Sequence, residues 1–138
     1  MDKLVIKGGQ VLKGVITASG AKNSALPIIV AAALAEGESL LENVPCGTDV
    51  EVICAILSSL GASVGWDGPG RLRVNGTGLN KTQAPYELVR RMRASFYVAG
   101  LLLGRLGKAV VPLPGGCSIG SRPVDYHIKG FEALGAKV

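Results

Sequence analysis

Cys117, Arg122 and Pro123 fall within seven residues of one another, in the run Pro-Gly-Gly-Cys-Ser-Ile-Gly-Ser-Arg-Pro-Val-Asp-Tyr-His that ends at His127. Pro114, Gly115, Gly116 and Gly120 let the backbone turn sharply there and present its N–H groups. Pro123 is suited to the first residue of a helix. A thiol, a guanidinium and a helix N-terminus on one loop suit an anionic substrate and a reactive sulfur, because positive surroundings favour thiolate over thiol. The same residues also describe a Gly-rich surface turn with an incidental Cys, since single cysteines are often inert. A second candidate lies near the N-terminus, where Ser19-Gly-Ala-Lys-Asn-Ser24 leads into an apolar segment. It places Lys22 and Asn23 at a helix start, able to meet an anion or simply to form a solvated capping loop.

The elements that must position these groups follow from pattern and punctuation. Lys3–Ile6 and Val11–Ile16 alternate about Gly8-Gly9 and predict a β-hairpin. A helix is expected from Ala25 to Leu34, capped by Ser24, with Pro27 in its first turn. Ser39–Val44 reads as a strand, and Thr48-Asp-Val-Glu51 as a capping box opening a helix to about Leu60. Gly61 supplies a left-handed exit. Ser63–Trp66 and Arg71–Asn75 then pair across Asp67-Gly-Pro-Gly70, and residues 76 to 84 form a polar connection. Helical pattern resumes after Pro85, followed by a strand at Lys108–Leu113, the Cys loop and a helix from about Val124 to Leu134. Cys54 falls on an apolar helix face and is expected in the core.

This order repeats. Leu60-Gly-Ala62 and Leu134-Gly-Ala136 recur with their glycines 74 residues apart. Pro45 to Gly61 spans 16 residues, whereas Pro114 to Gly135 spans 21, so the second copy carries five more at the Cys loop. An insertion at one strand–helix junction of a repeated scaffold favours a working loop over an incidental turn. The expected division is an N-terminal hairpin at 1–20, a first repeat at 21–76, a connection at 77–84 and a second repeat at 85–138. The second repeat stops two residues past its Leu-Gly-Ala, so the chain is expected to be truncated.

Bulk composition agrees with an ordered α/β (α+β) domain: 138 residues, 48% hydrophobic, net charge +5. The longest apolar run, Ala25 to Ala35, is interrupted by Pro27 and too short to span a bilayer. Three cysteines without CxxC or histidine pairing indicate neither a disulfide framework nor a zinc site, and suit a reducing, cytoplasmic setting. With aromatics at 4%, small anions fit the basic balance better than nucleic acid.

Three separated motifs carry a resemblance: Ser-Gly-Ala-Lys-Asn-Ser-Ala-Leu-Pro around Lys22, Met-Arg-Ala-Ser around Arg93, and the Cys117–Asp125 run. In order and content they resemble the enolpyruvyl transferase family, specifically its UDP-N-acetylglucosamine 1-carboxyvinyltransferases. The resemblance implies an inside-out α/β barrel of repeated βαβαββ units, of which this chain holds the N-terminal strands and about two repeats. It implies transfer of the enolpyruvyl group of phosphoenolpyruvate to the 3-hydroxyl of UDP-N-acetylglucosamine, in peptidoglycan synthesis, with no cofactor and no membrane or nucleic-acid partner. By the same resemblance Cys117 is the general acid and the target of the epoxide antibiotic fosfomycin. Lys22, Asn23, Arg93 and Arg122 meet the substrates, and Pro123, Val124, Asp125 and Tyr126 hold the nucleotide end. Tyr126 stands where the family more often has Leu or Gln. Arg90 and Arg91 match no motif and read as a solvated face, and His127 as structural. The shikimate-pathway enolpyruvyl transferase is the nearest rival, but lacks the Gly-Gly-Cys insertion. A non-catalytic nucleotide-sugar-binding half-lobe is the rival of another class. In the family the opening strands belong with a second lobe, so alone this chain is expected to be inactive, with strand edges that invite self-association.

Overall fold

The computed structural model describes residues 3–113 and 123–138. Its centre is a helix, α1 (Lys22–Leu34), whose residues Ala25, Leu26, Ile29, Val30, Ala32 and Ala33 are buried. An Ala-rich run favours helix, and α1 is apolar around most of its girth because it is covered from several sides. It packs against α2 (Thr48–Ser59), α4 (Tyr97–Leu106), and strands β1 (Glu38–Leu41) and β3 (Leu72–Asn75). The Arg105 guanidinium donates to the Leu34 carbonyl at 3.4 Å, tying α4 to the C-terminal end of α1.

Strands β1, β3 and β2 (Ser63–Trp66) form one antiparallel sheet in the order β1-β3-β2. Register runs Glu38 opposite Asn75 to Leu41 opposite Leu72 on one side of β3, and Ser63 opposite Asn75 to Trp66 opposite Leu72 on the other. Helix α2 thus links two strands that flank β3, and β3 enters between them through the turn at Asp67–Gly70. Alternation puts Leu72 and Val74 into the core and Arg73 outside. There Arg73 meets Glu38 at 2.6 Å and Asp67 at 3.1 Å. The core is completed by Val50, Ile53, Ile56, Leu57 and Leu60 from α2 and its exit, Val89 from the short helix α3 (Tyr86–Val89), and Val98 and Leu102 from α4.

The repeated Leu-Gly-Ala signal has one geometry in both copies. Gly61 has φ +107° and Gly135 φ +95°. Ala62 N–H donates to the Leu57 carbonyl at 3.0 Å, and Ala136 N–H to that of Phe131 at 2.9 Å. Each closes the last turn of its helix, α2 and α5 (Asp125–Ala133).

Several expectations are corrected. Residues 3–20 form neither helix nor strand, so the opening hairpin is not formed. Val11, Leu12, Val15 and Ile16 are exposed: alternation supplies an apolar face, but none of the described residues covers it. Helix α1 begins at Lys22 after the capping residue Ala21, so Ser24 lies inside it and caps nothing, and Pro27 falls in the second turn. Gly47, not Thr48, precedes α2, and no side chain caps that helix. The strand expected at Lys108–Leu113 reduces to one parallel bridge, Gln83 with Val110. Pro123 lies ahead of α5, whose capping residue is Val124. Cys54 is only partly buried, packed against the core rather than within it. No helix among the described residues is long and apolar enough to cross a membrane.

Candidate functional site

A cavity of about 480 Å³ opens where four chain segments begin helical structure. Lys22, Asn23 and Leu26 reach it from the first turns of α1, Asp49 from the first turn of α2, Arg91 to Ala94 and Phe96 from the 3-10 turn (Arg93–Phe96) and its approach, and Tyr97 from the start of α4. Val124 and His127 close it from the start of α5. Four of the residues picked out in the sequence therefore share one cavity: Lys22, Asn23, Arg93 and Val124.

Local structure explains how each is held. Gly20 N–H donates to the Asn43 side-chain carbonyl at 3.1 Å, and a Cβ at Gly20 would collide with the Asn43 backbone carbonyl. Only glycine lets the two loops come this close. Asn43 itself adopts φ +55°, a conformation that Asn tolerates. The segment before α1 is thereby pinned to the loop before α2. Pro27 has no N–H, so the Asn23 carbonyl lacks its usual helical donor. The Lys22 ammonium lies 2.6 Å from the Asp49 carboxylate, a pair half open to solvent.

The turn carrying Arg93 is set by a buried hydroxyl. Ser95 Oγ lies 2.8 Å from the Val89 carbonyl and 2.5 Å from that of Met92, and Ser95 is fully buried. Arg93 in turn donates to the Pro123 carbonyl at 3.3 Å. Val124 is buried, and His127 meets Phe96 edge-on, with ring centroids 5.7 Å apart. These contacts seat the start of α5, a helix with no buried residues of its own.

The other sequence candidates are placed differently. Asp125 and Tyr126 are exposed and do not line the cavity, and the Lys129 ammonium lies over the Tyr126 ring at 5.7 Å. Cys117 and Arg122 lie outside the described residues. Arg90 faces outward, over the Tyr86 ring and 3.5 Å from Glu87. Arg91 is exposed, as a solvated face implies, and also lines the cavity, as does His127. Asp49 was missed, because its pairing with Lys22 depends on how α1 and α2 cross, which spacing within either helix does not reveal. A smaller cavity of about 250 Å³ adjoins, lined by Lys22, Pro45, Cys46, Gly47, Thr48, Asp49 and Val50. Of the two described thiols, Cys46 is exposed, whereas burial pushes the Cys54 thiol up from its ordinary 9.0 to about 11. Among the described residues no group of three or more His, Cys, Asp or Glu is arranged to hold a metal.

A cluster of Lys22, Arg91 and Arg93 around helix N-termini, with Asp49 the one carboxylate among the described lining residues, defines an α/β protein with a cationic cleft suited to an anionic ligand. The chain belongs to the enolpyruvyl transferase family, the one its three motifs resemble: residues 6–138 match the family described as EPSP synthase (3-phosphoshikimate 1-carboxyvinyltransferase). It is 57% identical over 137 residues to UDP-N-acetylglucosamine 1-carboxyvinyltransferase 2 of Symbiobacterium thermophilum, covering 99% of this chain and 32% of that protein. It is 51% identical over 138 residues to the UDP-N-acetylglucosamine 1-carboxyvinyltransferase of Shewanella denitrificans, covering 100% of this chain and 33% of that protein. Among solved structures, the enolpyruvyl transferase NikO from Streptomyces tendae matches with a TM-score of 0.64 at 31% identity, over 72% of this chain and 23% of that one. The chain thus spans about a third of the length of these curated relatives, and its mixed helix and sheet agree with part of an enolpyruvyl transferase fold.

Proposed function

We propose that this chain forms part of the site that transfers the enolpyruvyl group of phosphoenolpyruvate to the 3-hydroxyl of UDP-N-acetylglucosamine, releasing phosphate, in the cytoplasm. The observation that carries the reading is the convergence of Lys22, Asn23, Arg93 and Val124 on one cavity. Their relatives' names, at 48–57% identity, support this acceptor sugar over others. In this reading the sugar hydroxyl gives its proton to a base as its oxygen bonds to C2 of phosphoenolpyruvate, while the electrons of the C2–C3 double bond take a proton at C3 from Cys117, the acid. A base then takes a C3 proton from the tetrahedral intermediate as its C2–O bond to phosphate breaks, which restores the double bond and releases phosphate. Lys22, Arg93 and Arg122 stabilise the charge on phosphate and carboxylate. Pro123, Val124, Asp125 and Tyr126 belong to the wall that receives the nucleotide. The chain divides into residues 1–20, a first repeat at 21–76, a connection at 77–84 and a second repeat at 85–138.

The second reading is transfer to shikimate 3-phosphate, favoured by the description of the matching family. The two separate in one assay: phosphate release from phosphoenolpyruvate by the protein expressed from its complete reading frame, with each acceptor in turn. Turnover with UDP-N-acetylglucosamine and none with shikimate 3-phosphate is expected. The opposite preference would establish the second reading, and no release with either acceptor would leave a binding module.

A further inference from the structure

Asp49 is the only carboxylate among the described residues lining the main cavity, and its Oδ2 lies 2.6 Å from Lys22 Nζ. It stands at the second residue of α2, where the helix N-terminus favours negative charge. That helix is firmly seated, because Val50, Ile53, Ile56 and Leu57 are fully buried. Asp49 is therefore a fixed point, whereas the Lys22 ammonium rides on a flexible four-carbon stem. The pair also forms the wall common to both cavities, the larger beside Arg93 and the smaller beside Cys46. An unanchored Lys22 could turn into either.

We propose that Asp49 is a positioning residue that holds the Lys22 ammonium at the main cavity, preorganised for the anionic groups of phosphoenolpyruvate. The assignment rests on the reaction proposed above. Asp49 keeps its contact through one oxygen, leaving the remaining ammonium protons directed elsewhere. Ordering a lysine side chain in advance removes a penalty that binding would otherwise carry.

The test is made on the protein expressed from its complete reading frame. Asp49→Asn should raise the KM for phosphoenolpyruvate about tenfold, equivalent to about 1.4 kcal/mol, while the KM for UDP-N-acetylglucosamine changes less than twofold. Asp49→Glu should recover much of the loss, and in a Lys22→Met background Asp49→Asn should add nothing further. A lowered KM for phosphoenolpyruvate would mean that Asp49 competes with substrate, and would overturn the proposal. A fall in melting temperature with both KM values unchanged would reduce Asp49 to a structural contact, with the same consequence. A parallel readout needs no turnover: the ¹⁵N resonance of the Lys22 ammonium should be visible in the unliganded protein and lost in Asp49→Asn. If the wild-type protein turned over neither acceptor, the proposed reaction would fall while this signal still decided the role of Asp49. An unchanged resonance would refute it.

Discussion

Gly61→Ala and Gly135→Ala are chemically identical changes at equivalent positions of the repeat, and they should differ sharply in effect. Both glycines hold positive φ, +107° and +95°, which strains any residue with a Cβ by about 1–2 kcal/mol. Around Gly135 a Cβ would meet nothing within 4 Å among the described residues. At Gly61 it would collide with the Gly78 carbonyl and sit 3.0 Å from the Asn80 side chain. Neither can retreat freely, since the Asn80 and Lys81 N–H groups both donate to the Leu60 carbonyl, at 3.2 and 3.3 Å. Forcing that contact adds about 1–3 kcal/mol. Gly61→Ala should thus lose roughly 2–5 kcal/mol of global stability. Gly135→Ala should lose less than about 1 kcal/mol, because α5 buries none of its residues and can fray without unfolding the core. Urea unfolding followed by Trp66 fluorescence reads the difference. With a slope of about 2 kcal/mol/M, the Gly61→Ala midpoint should fall by roughly 1–2.5 M. Equal losses for the two variants, or a midpoint for Gly61→Ala close to that of the wild type, would refute the claim that close loop approach fixes Gly61.

Ser95→Ala should destabilise by about 0.5–1.5 kcal/mol, because the one hydroxyl proton shared between the Val89 and Met92 carbonyls is lost from a buried site. A loss below about 0.5 kcal/mol in the same urea experiment would show that the hydroxyl does not hold the Arg93 turn. Limited alkylation at pH 8 with mass-spectrometric mapping should label Cys117 first, then Cys46, then Cys54. The thiol of Cys54, raised from 9.0 to about 11, carries about a hundredfold less thiolate than an ordinary one; preferential labelling of Cys54 would contradict its burial. The same shift has a sign for stability. The folded thiol holds its proton to higher pH than the unfolded one, so this contribution is complete below pH 9.0 and declines as pH rises towards about 11. A Cys54→Ala variant should lack that decline in pH-dependent denaturation. Finally, Cys117→Asp should retain far more turnover than Cys117→Ser, since a carboxyl can donate the proton that a hydroxyl holds too tightly, and general acid catalysis is worth about 10²–10⁴-fold. Equal activities would remove Cys117 from the acid role.

Part of the cavity lining was legible because helix starts announce themselves. Lys22 and Asn23 precede an apolar run, and the structure puts them in the first turn of α1. Gly61 and Gly135 announce helix exits, and both have the left-handed geometry expected. The β2–β3 hairpin followed from Asp67-Gly-Pro-Gly70, whose turn residues dictate a reversal. What failed depended on partners rather than pattern. Residues 3–16 alternate as strands do, yet alternation specifies a face and not the surface that covers it. Among the described residues, the Lys108–Leu113 segment pairs with residues 82–84 only through Val110, and it stops at a single bridge. Ser24 and Thr48 have capping chemistry, but the close approach of Gly20 to Asn43 starts α1 earlier than Ser24 would. Lys22 with Asp49, and Arg93 with the Pro123 carbonyl, are contacts across 27 and 30 residues of chain. Only the packed arrangement of α1, α2 and the Arg93 turn brings them together.

The central claim is that the first turn of α1, the Arg93 turn and the start of α5 bound a phosphoenolpyruvate and nucleotide-sugar site. A crystal structure of the protein expressed from its complete reading frame, soaked with phosphoenolpyruvate and UDP-N-acetylglucosamine, tests it directly. The account predicts the phosphate of phosphoenolpyruvate within hydrogen-bond reach of Lys22 Nζ and the Arg93 guanidinium, with the nucleotide against residues 123–126. Ligands bound elsewhere, with Lys22, Arg93 and Val124 touching neither, would contradict it.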